Sequence, residues 1–131
     1  MRTLLAALLA TCVVCALSAC SMNKSQGNSN TQAQASVSGV LIDQACGAKM
    51  MTEADPEKAA SGHPKSCATK DDCAASGYAV ISGKEMIKFD DHGNQLAKDF
   101  LAKTDKTEDL RVNVEGVRTG DQIAVTSINA Q

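Results

Sequence analysis

The chain has few aromatic residues and no excess of positive charge. Its 131 residues include one tyrosine, two phenylalanines and no tryptophan, and the formal net charge is −2. Proteins that bind nucleic acids usually present a basic surface together with aromatic rings on which bases stack. The composition therefore argues against a nucleic-acid partner.

The chain also lacks the short motifs that mark common catalytic sites. It contains no G-x-S-x-G nucleophile turn, no glycine-rich phosphate loop and no H-E-x-x-H zinc motif. Its two histidines, His63 and His92, have no serine nucleophile signature beside them. We therefore predict that the protein has no catalytic residue and serves a non-enzymatic binding or structural role.

The first 20 residues, MRTLLAALLATCVVCALSAC, are typical of a targeting segment rather than of a folded domain. One cation, Arg2, precedes an uncharged apolar run that extends from residue 4 to residue 17. This run is about 14 residues long, whereas a helix that spans a bilayer needs roughly 20. We therefore interpret residues 1–19 as a signal peptide.

The end of this segment resembles the lipobox of bacterial lipoproteins. Leu17-Ser18-Ala19-Cys20 has the branched apolar residue, the two small residues and the cysteine of that motif. The resemblance implies cleavage after Ala19 and lipidation of Cys20 by diacylglycerol and a further acyl chain such as palmitate. It also implies a membrane-anchored protein of the cell envelope. Because Ser21 is not the aspartate of inner-membrane retention, the outer membrane is favoured, with the protein facing the periplasm.

The segment that follows the lipobox is polar and poor in bulky side chains. Residues 21–36 are rich in Ser, Asn and Gln, and Met22 is their one apolar side chain larger than alanine. Such a segment cannot bury enough surface to offset chain entropy, so residues 20–36 are expected to be the lipidated cysteine and a disordered tether. The globular domain is then predicted to span residues 37–131, a size at which a covalent tie adds useful stability.

Strand patterns dominate this domain, with short helical patterns between them. One helix is expected to begin at Asp55-Pro56, where aspartate is an N-cap and proline takes the first helical position. A capping-box variant at residues 69–72 predicts a second short helix, and an apolar face at residues 94–103 predicts a third, after a turn at residues 90–94. Strands are expected at residues 37–43, 78–81, 85–89, 110–114 and 122–128.

A helix between the third and fourth of five strands is the order found in an OB-like barrel. We therefore predict a small α+β fold, mainly β, built as a five-stranded OB-like barrel or sheet with short helices. The stretch LRVNVEGVRTGDQIAVTSI is similar to the last hairpin of small exported OB-fold proteins. Residues 37–128 as a whole resemble small exported bacterial proteins of that shape, and this resemblance implies a fold but no activity.

The six cysteines have to be divided before any is assigned a role. Two lie in the signal peptide, and Cys20 would carry lipid. That leaves Cys46, Cys67 and Cys73 in the domain, which is an odd number in an oxidising compartment. At least one of the three therefore has no intramolecular disulfide partner.

One structural disulfide is the first interpretation of these cysteines. A chain-entropy calculation gives about 2.4 kcal/mol for a bridge between Cys67 and Cys73 and about 3.4 kcal/mol for one between Cys46 and Cys67. Bridges from Cys46 to Cys67 or Cys73 are favoured because they would fix the irregular segment expected at residues 44–69.

A metal site is the alternative interpretation. His63, Cys46, Cys67 and Cys73 supply the imidazole and the three thiolates of a closed tetrahedral zinc site, and the stretch HPKSCATKDDC contains three of these four residues. Soft ligands would also suit Cu(I). A thiol-redox protein is a further alternative, although the spacing of the cysteines is not the C-x-x-C of oxidoreductases. The sequence thus leaves open whether the domain has no cofactor or holds zinc or copper, and whether an envelope protein is its partner.

Overall fold

The computed structural model describes residues 33–131, so the predicted signal peptide, Cys20 and most of the predicted tether lie outside the described residues. Five strands and five helices follow one another along the described chain. None of these helices is both long enough and apolar enough to cross a membrane. In chain order the elements are β1 (Ala33–Asp43), α1 (Gln44–Met50), α2 (Pro56–Ser61), α3 (Lys65–Ala68), α4 (Asp71–Ala75), β2 (Tyr78–Ser82), β3 (Glu85–Phe89), α5 (Asp91–Lys103), β4 (Arg111–Thr119) and β5 (Gln122–Ala130).

The five strands form one closed barrel in the order β1-β2-β3-β5-β4. Strand β1 pairs antiparallel with β2 and with β4, and a short parallel pairing between β3 and β5 closes the barrel. The predicted α+β fold, mainly β and OB-like, is therefore confirmed. Strand β1 is long because it has two neighbours, and Val40 is the residue at which its pairing passes from β4 to β2.

The change of partner in β1 requires a residue without a side chain. A Cβ atom on Gly39 would lie 2.2 Å from the backbone oxygen of Ile81, so the two backbones approach more closely than any other residue would allow. The sequence predicts a bulge or a close backbone approach at Gly39, and the close approach is what the structure contains.

Side chains on β1 alternate between two apolar clusters. Leu41 points into the barrel, whose core includes residues of all five strands and of α5. Val40 and Ile42 belong to a second cluster, to which α2 contributes Ala60. Because consecutive side chains of a strand face opposite sides, β1 is buried on both faces where the helices cover it.

Several predicted boundaries need correction. Strand β1 begins at Ala33 rather than at residue 37, because β4 is long enough to pair with the additional residues. Residues 44–69, expected to be largely irregular, contain α1 and α3 as well as the predicted helix α2. We call residues 44–77, which run from the end of β1 to the start of β2, the helical insertion.

Two predicted helix starts also differ from the structure. Helix α4 has Lys70 as its N-cap with no capping side chain, because the Thr69 hydroxyl donates instead to the backbone oxygen of Lys65. Helix α5 begins at Asp91, so residues 91–94 are its first turn rather than a separate turn. Asp90 caps this helix by accepting a hydrogen bond from the Gly93 amide.

Candidate functional site

The helical insertion brings the three cysteines of the domain to one place. Cys46 lies in α1, Cys67 in α3 and Cys73 in α4. Their Sγ atoms all lie within 4.8 Å of one another, each side chain is partly exposed, and none of the three forms a disulfide. We call these three residues the thiol cluster.

The 4.8 Å limit on this spacing is wider than either of the two predicted arrangements requires. A disulfide requires a sulfur–sulfur distance of roughly 2 Å. Three thiolates on one tetrahedral zinc ion lie about 3.8 Å apart, which follows from a Zn–S distance of about 2.3 Å. A short inward movement of the three side chains from within 4.8 Å would therefore suffice to hold one ion.

The pairing of β1 with β2 explains why the ends of the insertion meet. Asp43, the last residue of β1, is directly opposite Tyr78, the first residue of β2. Cys46 follows Asp43 by one helical turn, and the Asp43 carboxylate caps that turn by accepting a 2.9 Å hydrogen bond from the Cys46 amide. Cys73 precedes Tyr78 by five residues, so both cysteines lie close to the same pair of strand ends.

Contacts with β2 and with the segment between α5 and β4 hold the helix that carries Cys67. The Lys65 amide donates to the backbone oxygen of Thr107, and its ammonium group donates to that of Thr104, both at 2.7 Å. The buried Tyr78 hydroxyl donates a 3.0 Å hydrogen bond to the backbone oxygen of Ala68. Helix α3 has no side-chain cap, so these contacts with other elements fix its place.

A buried aspartate and a buried histidine lie beside the thiol cluster. Asp43 is 0% exposed and His63 is 6% exposed. The distance from His63 Nε2 to Asp43 Oδ2 is 3.5 Å, and the ligand atoms of Asp43, Cys46 and His63 all lie within 4.8 Å of one another. The two groups of ligands thus share Cys46.

Three polar atoms of this pair have no hydrogen-bond partner. They are Asp43 Oδ2 and both ring nitrogens of His63. Buried polar groups in folded proteins are nearly always hydrogen-bonded, so an unpaired set indicates an ion, a water molecule or another missing partner. The sequence predicts His63 as a ligand but misses Asp43, whose only signal is its position as a helix cap three residues before Cys46.

Burial is the main cause of the pKa shifts of these groups. Burial and the nearby Asp43 carboxylate raise the pKa of the Cys46 thiol to about 12. The same two causes raise the pKa of Cys73. Burial lowers the pKa of His63 although Asp43 acts in the opposite direction, so its imidazole is neutral at neutral pH and able to bind a metal.

The structure thus brings together the sequence-predicted ligands in two overlapping groups. Cys46, Cys67 and Cys73 form one, and His63 joins Cys46 and the unpredicted Asp43 in the other. His92, the second histidine, is exposed in α5 and belongs to neither. The lipidation candidate Cys20 lies outside the described residues.

Comparisons with known proteins add no relative from which a role could be transferred. No protein-family model matches the chain, and no match was found among curated proteins or solved structures. The chemistry of the site therefore has to be inferred from its own residues.

Proposed function

We propose that this is a lipid-anchored, non-enzymatic protein of the bacterial cell envelope whose domain binds one thiophilic metal ion through Cys46, Cys67 and Cys73. The observation that carries this proposal is the convergence of three thiols from three separate helices to within 4.8 Å. Zinc and Cu(I) are the ions that thiolate-rich sites favour. A metal also uses all three cysteines, whereas one disulfide leaves a thiol over.

The raised pKa values of two thiols argue against redox catalysis. An oxidoreductase needs an attacking thiol with a lowered pKa, but the pKa values of Cys46 and Cys73 are raised. A metal ion displaces the thiol protons when it binds, so a high thiol pKa weakens uptake at low pH without preventing it. Metal affinity is therefore expected to rise with pH.

The anchoring part of the proposal depends on the lipobox resemblance at residues 17–20. A lipid-anchored domain in the outer membrane would present its site to the periplasm, where thiols are prone to oxidation. A bound metal would protect the cysteines there because coordinated thiolates are not free to form disulfides. Labelling of the expressed protein with radioactive palmitate, and loss of the label in Cys20→Ala, tests the anchor separately from the metal.

Metal binding is tested on the full-length lipoprotein, purified in detergent and reduced without oxygen. Zinc chloride, or Cu(I) buffered by a chelator, is added, free metal is removed, and bound metal is measured by elemental analysis. We expect about one ion per chain and protection of three thiols from alkylation. Each of Cys46→Ser, Cys67→Ser and Cys73→Ser should lose most of the metal, while the control Ser66→Ala should retain it.

A single structural disulfide is the second candidate, and the proximity of the sulfur atoms favours it as well. A bridge from Cys46 to either other cysteine would join α1 to the later part of the insertion. The thiol count distinguishes the two proposals. One free thiol in protein isolated without reductant, and no metal taken up after reduction, would contradict the metal proposal and support the disulfide.

A further inference from the structure

We propose that the site selects a divalent, four-coordinate ion, with zinc the best match, and that His63 is the fourth ligand while Asp43 holds its imidazole in place. This inference rests on the proposed function, in which the three thiols bind a metal. It adds the identity of the ion and the roles of two further residues in the site.

The first support is the unpaired state of the buried imidazole. A neutral imidazole has one nitrogen that donates and one that accepts. In His63 both nitrogens are buried and neither has a hydrogen-bond partner. Binding of an ion by one nitrogen and a hydrogen bond from the other to a carboxylate would satisfy both.

The second support is the placement of Asp43. Its Oδ2 atom also lacks a partner and lies 3.5 Å from His63 Nε2, so a small rotation of the ring would make this a hydrogen bond. In this arrangement Nε2–H donates a hydrogen bond to Asp43, and Nδ1 is left to bind the ion. A carboxylate that orients a metal-binding histidine in this way is a common feature of zinc sites.

The third support is that this pair is directly connected to the thiol cluster. Cys46 belongs to both groups of ligands, and in each group the ligand atoms lie within 4.8 Å of one another. An ion bound at Cys46 would therefore be close to the imidazole, since a ring nitrogen of His63 lies within 4.8 Å of the Cys46 Sγ atom. Three cysteines and one histidine form one of the standard tetrahedral ligand sets of zinc.

Charge favours a divalent ion over Cu(I). With three thiolates and the Asp43 carboxylate, the site carries four negative charges, and the carboxylate is fully buried. A divalent ion cancels two of these charges, whereas a monovalent ion cancels one. Because uncompensated charge is costly away from water, the larger cancellation stabilises the loaded site more.

The test measures zinc and Cu(I) affinities of the full-length reduced protein by competition with chromophoric chelators. His63→Gln removes the proposed ligand, and Asp43→Asn removes the charge while keeping an oxygen that can cap α1. His92→Gln and Asp91→Asn are matched controls, since both residues are exposed on α5. Circular dichroism establishes that each variant is folded.

We expect Asp43→Asn to lower zinc affinity by about 10–100-fold, the usual effect of losing a residue that orients a metal ligand. His63→Gln, which removes a ligand itself, should lower it at least as much. Cu(I) affinity should change by less than about threefold, and the two controls should leave both affinities unchanged. With Co(II) as a spectroscopic substitute, wild type and Asp43→Asn should show the intense absorption of a tetrahedral site. His63→Gln should keep the thiolate charge-transfer band, while the d–d bands should shift because an oxygen ligand replaces the imidazole nitrogen.

A measurement on the wild type tests the same inference even if a variant fails to fold. In the zinc-loaded protein, ¹⁵N chemical shifts of the His63 ring should show Nδ1 bound to metal and Nε2 protonated. A zinc-loaded protein in which His63 shows two unmetallated nitrogens would overturn this inference. A preference for Cu(I), or a zinc affinity that His63→Gln leaves unchanged, would also overturn it. In each of these cases the thiol-dependent metal binding of the proposed function would stand. Absence of any metal binding would refute both.

Discussion

The barrel and the helical insertion are stabilised in different ways. The barrel buries a continuous apolar core that includes residues of all five strands and of α5. The insertion contributes few fully buried apolar residues, chiefly Ala60 and Ala68, and surrounds the buried polar residues Asp43 and His63. The barrel therefore has an apolar core of its own, whereas the insertion depends on a smaller apolar cluster with β1 and β2 and on hydrogen bonds to other elements.

This difference implies that a metal ion would stabilise the two regions unequally. A ligand that binds only the folded form adds about 2.7 kcal/mol when its concentration is 100 times its dissociation constant. All four proposed ligands lie in the insertion, and Asp43 lies at the strand end that leads into it. The bound ion would thus add stability to a region whose apolar cluster is small.

The largest expected effect comes from a change in the barrel core. Leu41→Ala removes a side chain that is 1% exposed and should lower the free energy of unfolding by about 2–5 kcal/mol, because it leaves a cavity. Urea denaturation followed by circular dichroism measures this loss. The matched control Leu96→Ala, on the partly buried face of α5, should cost clearly less. Equal losses for both would contradict the assignment of Leu41 to the central core.

A smaller effect is expected where the insertion meets the barrel. Tyr78→Phe removes the hydroxyl that donates to the buried Ala68 carbonyl, and the unpaired carbonyl should cost about 1–3 kcal/mol. Hydrogen exchange should quicken mainly at the amides of α3, with little change in the barrel strands. Thr126→Val, which removes an exposed hydroxyl hydrogen bond on β5, serves as the control. Uniformly faster exchange would show that the insertion and the barrel unfold together.

The smallest effect is expected at Glu57, which links α2 to two parts of the barrel. Its carboxylate accepts hydrogen bonds from the Gly83 amide at 2.6 Å and from the Arg111 guanidinium at 2.8 Å. Both contacts lower the pKa of Glu57 below its usual 4.5, and the hydrogen bond from the Gly83 amide has the larger effect. Because the side chains of the ion pair are 26% and 38% exposed, we expect a contribution below about 1 kcal/mol.

The lowered pKa of Glu57 also fixes the direction of its pH dependence. Its contribution to stability is present above about pH 4.5 and is lost as the pH falls through the lower pKa of the folded state. Glu57→Gln should therefore be less stable than wild type near pH 6, and the gap should narrow near pH 3.5. Urea midpoints at both pH values measure this, with Glu53→Gln, at an exposed site of the insertion, as control. A gap that widens on acidification would contradict the assigned contacts.

The elements that the sequence predicts well are those with a strong local signal. Leu110, Val112 and Val114 alternate with polar residues, and all three are buried at β4. Asp55 and Pro56 mark the start of α2, and the structure confirms both the cap and the proline at the first turn. In each case the local pattern agrees with the tertiary environment.

The sequence does not reveal α1 and α3, because such short helices contain no complete apolar repeat. Helix α1 depends on its Asp43 cap, and α3 on hydrogen bonds from Lys65 to a distant part of the chain. Asp43 is missed as a site residue for the same reason. A lone aspartate at a strand end looks like an ordinary helix cap until His63 is placed beside it.

The sequence by itself determined the odd number of thiols in the domain, the candidate ligands His63, Cys46, Cys67 and Cys73, and the order of the five strands and α5 along the chain. These follow from local patterns and from residue counts. Only the tertiary structure decided that the three thiols converge and that Asp43 lies beside Cys46 and His63. The reason is that the antiparallel pairing of Asp43 with Tyr78 brings together two ends of the insertion that lie far apart along the chain.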